Sequence, residues 1–209
     1  MLFYDCSTAP NPRRARMFIA EKGVQIETRD ISIAKGEQLT PEFRAVNPRA
    51  TLPVLVTGAG NVLTENVAIA LYLEEMFPDP PLMGEGPEER AQVLNWNAIA
   101  EQQGAMPVAE AFRNSNRHMK GRALPGPADF DQIPELAERG MARIGLFLDM
   151  LEQRLQDSPY LALDRFSLAD ISAFVFIEFA RVVRVSIPAE HGATLDWYGR
   201  VRARPSAAV

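Results

Sequence analysis

Residues 47–75, which read NPRATLPVLVTGAGNVLTENVAIALYLEE, constrain the possible folds of this chain more than any other segment. Pro53 starts a short apolar strand, and because proline cannot donate a hydrogen bond to a sheet, this start should lie at a sheet edge or in a turn. The glycines that follow tolerate positive φ, which allows residues 61–64 to return as the second strand of a hairpin. Apolar residues then recur at helical spacing from Asn66 to Met76. The segment therefore predicts a strand, a second strand and a helix, in that order.

The start of this predicted helix suits a small zwitterionic ligand. Unpaired backbone N–H groups at a helix N-terminus carry about half a positive charge and attract an anion, while the carboxylate of Glu65 can hold an ammonium group. The backbone of Leu52, next to Pro53, can hydrogen-bond an extended peptide as an added strand. Together these features predict a small peptide ligand. The alternative is purely structural: Asn66 caps the helix and Glu65 favours its dipole.

The composition narrows the class of protein. With 209 residues, of which 47% are hydrophobic and 23% charged, the chain can bury one large core or two small ones. A net charge of -5 and scattered arginines give no reason to expect a nucleic-acid partner. No apolar run approaches the roughly 20 residues that span a bilayer, and the first residues lack the pattern of a signal sequence. We therefore expect no membrane partner and a cytoplasmic location. One cysteine, Cys6, and two distant histidines predict neither a disulfide framework nor a metal site.

Secondary-structure patterns divide the chain into two parts. Residues 1–78 alternate between strand and helix patterns, whereas almost everything after Pro87 has a helical pattern. We therefore predict an N-terminal domain over residues 1–78, a linker over 79–86 and an all-helical domain over 87–209. In the first domain the order strand, helix, strand, hairpin, helix predicts a thioredoxin-like mixed sheet, because a right-handed crossover makes the first two strands parallel. The predicted fold class is α+β, with a helical bundle as the second domain.

Two signals locate helices in the second part. Ser167 and Asp170 fit a short form of the capping box, and they precede residues 171–180, which are apolar nearly all round. A helix without a polar face is buried, so we expect this one at the centre of the domain. Pro107 predicts a kink or a break in an earlier helix that starts near Pro87.

Five motifs in a fixed order resemble those of the cytosolic glutathione transferases. They read YDCSTAPNPRRARMFIAEKG, KGEQLTPEF, NPRATLPVL, LTENVAIALYL and FSLADISA. Each motif is weak by itself, but the five rarely coincide in this order and at these spacings, and the resemblance extends over essentially the full chain. The resemblance implies a thioredoxin-like domain that binds glutathione and a helical domain that supplies much of the acceptor site. It also implies a homodimer, with glutathione and a small electrophile as substrates and detoxification as the setting.

Six positions match the glutathione site of this family: Gln38, Thr51, Leu52, Pro53, Glu65 and Asn66. By resemblance, Leu52 pairs its backbone with the cysteinyl part of glutathione and Pro53 is the family's cis-proline. Glu65 and Asn66 hold the γ-glutamyl end. Gln38 stands where histidine or glutamine often binds the glycine carboxylate. Thr51 stands where many members carry lysine, which implies weaker binding of that carboxylate.

The catalytic position departs from the family pattern. Ala9 stands where the activating serine or cysteine is usual, and alanine has no side-chain donor. The polar residues around this turn are Ser7, Thr8 and Asn11, and the sequence assigns thiol activation to this group. Asn11 is also predicted to cap a helix that starts at Pro12, and turn chemistry accounts for the other two equally well. Cys6 does not match the reactive cysteine of the family and fits a small buried hydrophobe.

The acceptor site is predicted on the helix before Gly121, with Phe112 and Arg113 as its residues. Arg113 can bind an anionic acceptor, although an arginine on a helix is more often simply solvated. The predicted function is conjugation of ionised glutathione to a small, mainly apolar electrophile. Three alternatives remain open: a glutathione-binding or interaction protein without turnover, glutathione-dependent reduction of peroxides or disulfides, and transport or storage of apolar ligands.

Overall fold

The first part of the chain is built around a four-stranded mixed sheet. The computed structural model describes all residues from 1 to 209. The strands are β1 (Leu2–Asp5), β2 (Glu27–Asp30), β3 (Val54–Val56) and β4 (Val62–Leu63). Their order in the sheet is β2-β1-β3-β4, with β1 parallel to β2 and the other two pairs antiparallel. The predicted mixed sheet, with its parallel first pair and its hairpin, is confirmed.

Eight α-helices complete the fold, and the regular elements after the sheet domain are all helices, as predicted. The helices are α1 (Pro10–Glu21), α2 (Pro41–Val46), α3 (Asn66–Met76), α4 (Gly86–Ile99), α5 (Met106–Ser115), α6 (Pro134–Gln156), α7 (Leu168–Ala180) and α8 (Gly192–Arg202). No helix or strand lies between Met76 and Gly86, although the exact division into domains stays a prediction. None of the helices combines the length and the apolar character that crossing a bilayer requires.

The position of β3 corrects one expectation about Pro53. β3 lies inside the sheet between β1 and β4, so the expected sheet edge was wrong. Proline is accommodated here because it stands one residue before Val54, the first residue paired with β1, and so removes no bond from the ladder. The Leu52–Pro53 peptide bond is cis. The amide and carbonyl of Leu52 form no hydrogen bond within the chain, so this backbone remains available to an added strand.

The start of α1 corrects a second expectation. The helix begins at Pro10 rather than at Pro12, and Ala9 rather than Asn11 occupies the N-cap position, without a side-chain cap. Two prolines are tolerated in this first turn because the first N–H groups of a helix have no partner inside it. Asn11 is therefore freed from capping.

The helical part packs around α7, as its apolar sequence predicts. Eleven of the thirteen residues of α7 are buried. The predicted capping box is present, with the Ser167 amide donating to Asp170 Oδ2 at 3.0 Å. The expected disruption at Pro107 takes the form of a π-helical segment, Ala100–Ala105, that joins α4 to α5 without a break. Such widening accommodates a proline, which lacks the N–H of a regular turn and whose ring would clash with the carbonyl four residues earlier.

Candidate functional site

A cleft of about 320 Å³ lies where the sheet domain meets the helical domain. The start of α1, the segment that leads into β3, helices α5 and α7, and residues 122–126 form its walls. Six of the residues predicted for the site line this cleft: Asn11, Gln38, Thr51, Leu52, Phe112 and Arg113. Thus the structure brings together one predicted catalytic residue, three glutathione-binding residues and both acceptor residues.

Ser7 and Thr8 lie outside this cleft. They line a separate, shallower depression of about 340 Å³, next to Arg13 and Arg16. The Ser7 amide donates to Asp30 Oδ1 at 2.9 Å, and the Thr8 hydroxyl lies 3.6 Å from the sulfur of Cys6. Asn11 is the one member of the predicted catalytic group that faces the cleft, and the roles of Ser7 and Thr8 stay predictions.

Gln38 and Asn66 each bury a polar atom that has no partner. Gln38 Oε1 and Asn66 Oδ1 are two of only four buried side-chain atoms of the chain without a hydrogen bond. Both residues are at most 8% exposed. An unsatisfied buried polar group costs about 1–3 kcal/mol, so a pair of them is typical of a site that binds a polar ligand. Asn66 does not cap α3, because no side chain caps that helix.

Arg49, which the sequence analysis missed, connects the cleft to the start of α3. Its guanidinium forms an ion pair with Glu65 Oε1 at 2.9 Å and also donates to the Thr64 hydroxyl. Glu65 is exposed, and Arg49 lies just before Ala50 and Thr51 in the cleft wall. This exposed ion pair therefore links the start of α3, where the γ-glutamyl group is predicted to bind, to the loop that forms the cleft wall.

The loop before β3 is fixed by Asn47 and strained at Ala50. Asn47 is buried, and its amide nitrogen donates to the carbonyl and the hydroxyl of Thr51 at 2.9 and 3.1 Å. Ala50 has φ of 53°, the left-handed region that alanine rarely adopts. Strain of this kind concentrates at functional sites, and here it sets the course of the backbone through Leu52.

Arg14 lies beneath the start of α1 and fixes the orientation of Asn11. It is buried and donates to Ser172 Oγ at 3.0 Å, to Asn97 Oδ1 at 3.1 Å and to Glu101 Oε1 at 2.5 Å. Burial lowers the pKa of Arg14, and Glu101 and then Glu65 oppose that change by favouring the charged form. The guanidinium also lies 3.5 Å from Asn11 Oδ1.

Arginine has only donors, so it turns the oxygen of the Asn11 amide inward and leaves the amide nitrogen as the free donor. The sequence contains no signal that distinguishes Arg14 from the neighbouring Arg13 and Arg16, because its partners come from α4, α7 and the π-helical segment.

The acceptor side of the cleft is mainly apolar. Phe112 packs edge to face on Phe179, with ring centroids 5.6 Å apart. The residues of this wall that sequence reasoning missed come from elements distant in the chain: Ile33, Arg122, Leu124, Phe176 and Phe179. Only the tertiary fold brings them beside α1.

Comparison with known proteins decides the family. The family model for the glutathione S-transferase N-terminal domain matches residues 8–76, and the family model for the C-terminal domain matches residues 134–200. Glutathione S-transferase 2 of Saccharomyces cerevisiae is 32% identical over 211 residues, which cover 99% of this chain and 87% of the yeast protein. The chain belongs to the glutathione transferase family.

Two further comparisons show the range of proteins to which this chain is similar. A crystal structure of a glutathione S-transferase domain-containing protein from Marinobacter aquaeolei superimposes with a TM-score of 0.90 at 34% identity, covering 99% of each chain. The disulfide-bond oxidoreductase YfcG of Escherichia coli is 27% identical over 203 residues, which cover 94% of this chain and 88% of that protein. The thioredoxin-like sheet domain and the helical domain of this chain are thus those of the family.

Proposed function

We propose that this protein is a glutathione transferase that ionises glutathione with Asn11 at the start of α1. One observation carries the proposal. Pro10 and Pro12 have no N–H, and the amides of Ala9 and Arg13 already donate to Cys6 and Ala9, so Asn11 holds the only free backbone donor of this turn. Its side-chain nitrogen is a second donor to the same cleft. Asn11 thus takes the place of the hydroxyl or thiol that Ala9 lacks.

Modest forces suffice for this chemistry. A free thiol has a pKa of about 8.5, and one unit of depression corresponds to about 1.4 kcal/mol. The helix dipole contributes about 0.3–2 kcal/mol, and a hydrogen bond to a charged sulfur about 1.5–3 kcal/mol. Together they lower the thiol pKa by roughly one to three units. No acidic residue in the first turn of α1 opposes the effect.

In the proposed reaction the thiolate sulfur attacks the electrophilic carbon of the acceptor. A carbon–sulfur bond forms, and either a leaving group departs with its electron pair or the electrons of a double bond take up a proton from water. The proton of the glutathione thiol passes to solvent when glutathione binds. No oxidant or reductant is needed, and the protein forms no covalent bond.

Glutathione itself is proposed to bind across the inner wall of the cleft. The free amide and carbonyl of Leu52, beside Pro53, pair with the cysteinyl peptide group. Gln38 and the hydroxyl of Thr51 lie beside them for the glycine carboxylate, and Asn66 and Glu65 hold the γ-glutamyl end. The unpartnered oxygens of Gln38 and Asn66 support this placement.

Replacing Asn66 by alanine is expected to weaken glutathione binding about tenfold without lowering stability. A lost hydrogen bond to a charged ligand group weakens binding by about 1.5–3 kcal/mol. In the unbound protein the substitution removes an unsatisfied buried oxygen and introduces a residue with a higher helix propensity, so stability should not fall. Calorimetric titration and denaturant unfolding measure the two quantities.

Asn61→Ala is the matched control for this variant. Asn61 is exposed in the hairpin turn, and its side chain forms no hydrogen bond, so neither quantity should change. A loss of stability in Asn66→Ala with unchanged affinity would assign Asn66 a structural role instead.

The alternatives predict different activities. Glutathione conjugation to 1-chloro-2,4-dinitrobenzene, followed by absorbance, tests transfer, while reduction of a low-molecular-weight disulfide tests the activity that the name of the E. coli relative describes. We expect the first activity. Glutathione binding without either activity would favour a binding or interaction protein, and ligand binding independent of glutathione would favour transport or storage. The proposed homodimer and cytoplasmic location follow the family pattern.

A further inference from the structure

The acceptor side of the cleft contains two cations and no acid. Among the twenty residues that line the cleft, Arg113 and Arg122 are charged, and no aspartate or glutamate is present. Neither arginine has a carboxylate within ion-pairing distance. The acid closest to Arg113 along α5, Glu110, is already paired with Arg139 and Arg143. The cleft therefore has a local positive charge, although the whole chain carries a net charge of -5.

The two arginines lie close together. Arg113 Nη1 donates to the main-chain carbonyl of Arg122 at 2.8 Å, which ties α5 to the segment that carries Arg122. Burial lowers the pKa of Arg113, and repulsion by Arg122 lowers it further. No acidic group offsets either effect. The side chain of Arg122 forms no hydrogen bond, so its five donors are free.

The surroundings of this pair are apolar. Phe112, Leu124 and Phe179 line the cleft beside the arginines, and the two rings pack edge to face. Placing two arginines without a carboxylate partner in the same apolar wall is unfavourable unless an anion binds them. Planar guanidinium groups bind carboxylates in a bidentate manner, which makes a carboxylate the matching ligand.

We propose that the acceptor of this transferase carries a carboxylate on a flat apolar body, and that Arg113 and Arg122 bind that carboxylate. The inference rests on the proposed function for the chemistry, but the anion subsite can be tested without turnover. The apolar body lies against Phe112 and Phe179, and the electrophilic carbon is directed toward the sulfur at Asn11. The arginines determine specificity and take no part in ionising the thiol.

The first test measures binding of unreactive probes by calorimetry in the presence of saturating glutathione. The probes are 3,5-dinitrobenzoate and 3,5-dinitrobenzamide, which differ in the carboxylate alone. The benzoate is expected to bind about tenfold more tightly than the benzamide, because one charge-assisted contact is worth about a factor of ten. Arg122→Gln and Arg113→Gln are each expected to abolish this preference for the benzoate.

Arg117→Gln is the matched control, because Arg117 is exposed and lies outside the cleft, and its substitution removes the same charge. It should leave the ratio unchanged. Equal binding of the two probes to the unmodified protein would overturn the inference. So would a fall in glutathione affinity in Arg122→Gln with an unchanged probe ratio, since the arginines would then serve the glycine carboxylate of glutathione.

A second test separates failure of this inference from failure of the proposed function. The probes 4-chloro-3,5-dinitrobenzoate and 4-chloro-3,5-dinitrobenzamide react by forming a carbon–sulfur bond and releasing chloride, and rates are corrected for the uncatalysed reaction. A preference for the benzoate that Arg122→Gln removes would support both proposals. Turnover of the benzamide without a preference would overturn the anion subsite alone. Binding of the benzoate that depends on Arg122, without turnover of either compound, would overturn the transferase proposal alone.

Discussion

Asp170→Ala is expected to destabilise the protein by about 3–5 kcal/mol, because each buried donor that loses its acceptor costs about 1–3 kcal/mol. Asp170 is fully buried, and Oδ1 accepts from the Leu161 amide at 3.0 Å and from the Trp197 indole at 2.9 Å. Its other oxygen accepts from the Ser167 amide at 3.0 Å and the Ser167 hydroxyl at 2.9 Å. Denaturant unfolding at equilibrium measures the loss.

The cost of burying the Asp170 carboxylate keeps the predicted loss of stability below the sum of the four hydrogen bonds. Burial raises the pKa of Asp170, and its hydrogen bonds only partly oppose that change, so removing the carboxylate also removes a cost of burying charge. Asp170→Asn keeps one acceptor oxygen, so its free energy of unfolding should lie between those of the unmodified protein and Asp170→Ala. Asp164→Ala is the control, since the Asp164 side chain is 87% exposed and its loss should cost less than about 0.5 kcal/mol. A loss below about 1 kcal/mol in Asp170→Ala would contradict a network that holds α7 and α8 together.

Gly140→Ala is expected to cost about 3 kcal/mol, at the upper end of overpacking, because it wedges α6 away from α5. A Cβ atom at Gly140 would lie 2.7 Å from both the Ala111 amide nitrogen and the Pro107 carbonyl oxygen. Both are backbone atoms of α5 and cannot rotate out of the way. Since α5 carries Phe112 and Arg113 into the cleft, the variant should also weaken acceptor binding more than glutathione binding.

Gly145→Ala, on the same helix, provides a control with the opposite expected sign. A Cβ atom there meets nothing within 4 Å, so the substitution should stabilise the protein by up to about 1 kcal/mol through helix propensity. Unfolding in denaturant compares the two variants directly. If both glycine variants changed stability equally, the close contact of α5 with α6 at Gly140 would be refuted.

The sequence predicts the parts of the fold that depend on neighbours in the chain. The cis-proline turn, the hairpin after β3 and the start of α3 all have signals within a few residues, and each was located to within one or two positions. The capping box of Ser167 and Asp170 was recognised for the same reason. Because proline cannot donate to a ladder, the sequence predicts a sheet edge or a turn at Pro53, whereas in the structure Pro53 leads into an inner strand whose pairing begins at Val54.

The sequence predicts the glutathione side of the candidate site more completely than the acceptor side, where only Phe112 and Arg113 are predicted. The glutathione side is formed by residues that lie within or just before elements of the sheet domain, where the sequence motif itself sets the local structure. These residues are Gln38, Thr51, Leu52 and Asn66. The opposite wall is assembled from α5, α7 and residues 122–126, so Arg122 and Phe179 had no local signal. The sequence correctly places Asn11 at the site, but the helix-capping role also predicted for it is wrong. Two prolines in the first turn allow α1 to begin at Pro10, one residue before Asn11.

The central claim is that Asn11 stabilises the thiolate of bound glutathione, and a pH titration of the bound thiol tests it most directly. Thiolate absorbance should be followed in Cys6→Ala, which removes the single protein thiol, a buried group outside the cleft. The bound thiol is predicted to titrate at about 6–7 rather than about 8.5, and Asn11→Ala should raise that value by about one unit. A bound thiol that titrates near its free value would contradict the account, and one that Asn11→Ala leaves unchanged would contradict the role of the Asn11 side-chain amide.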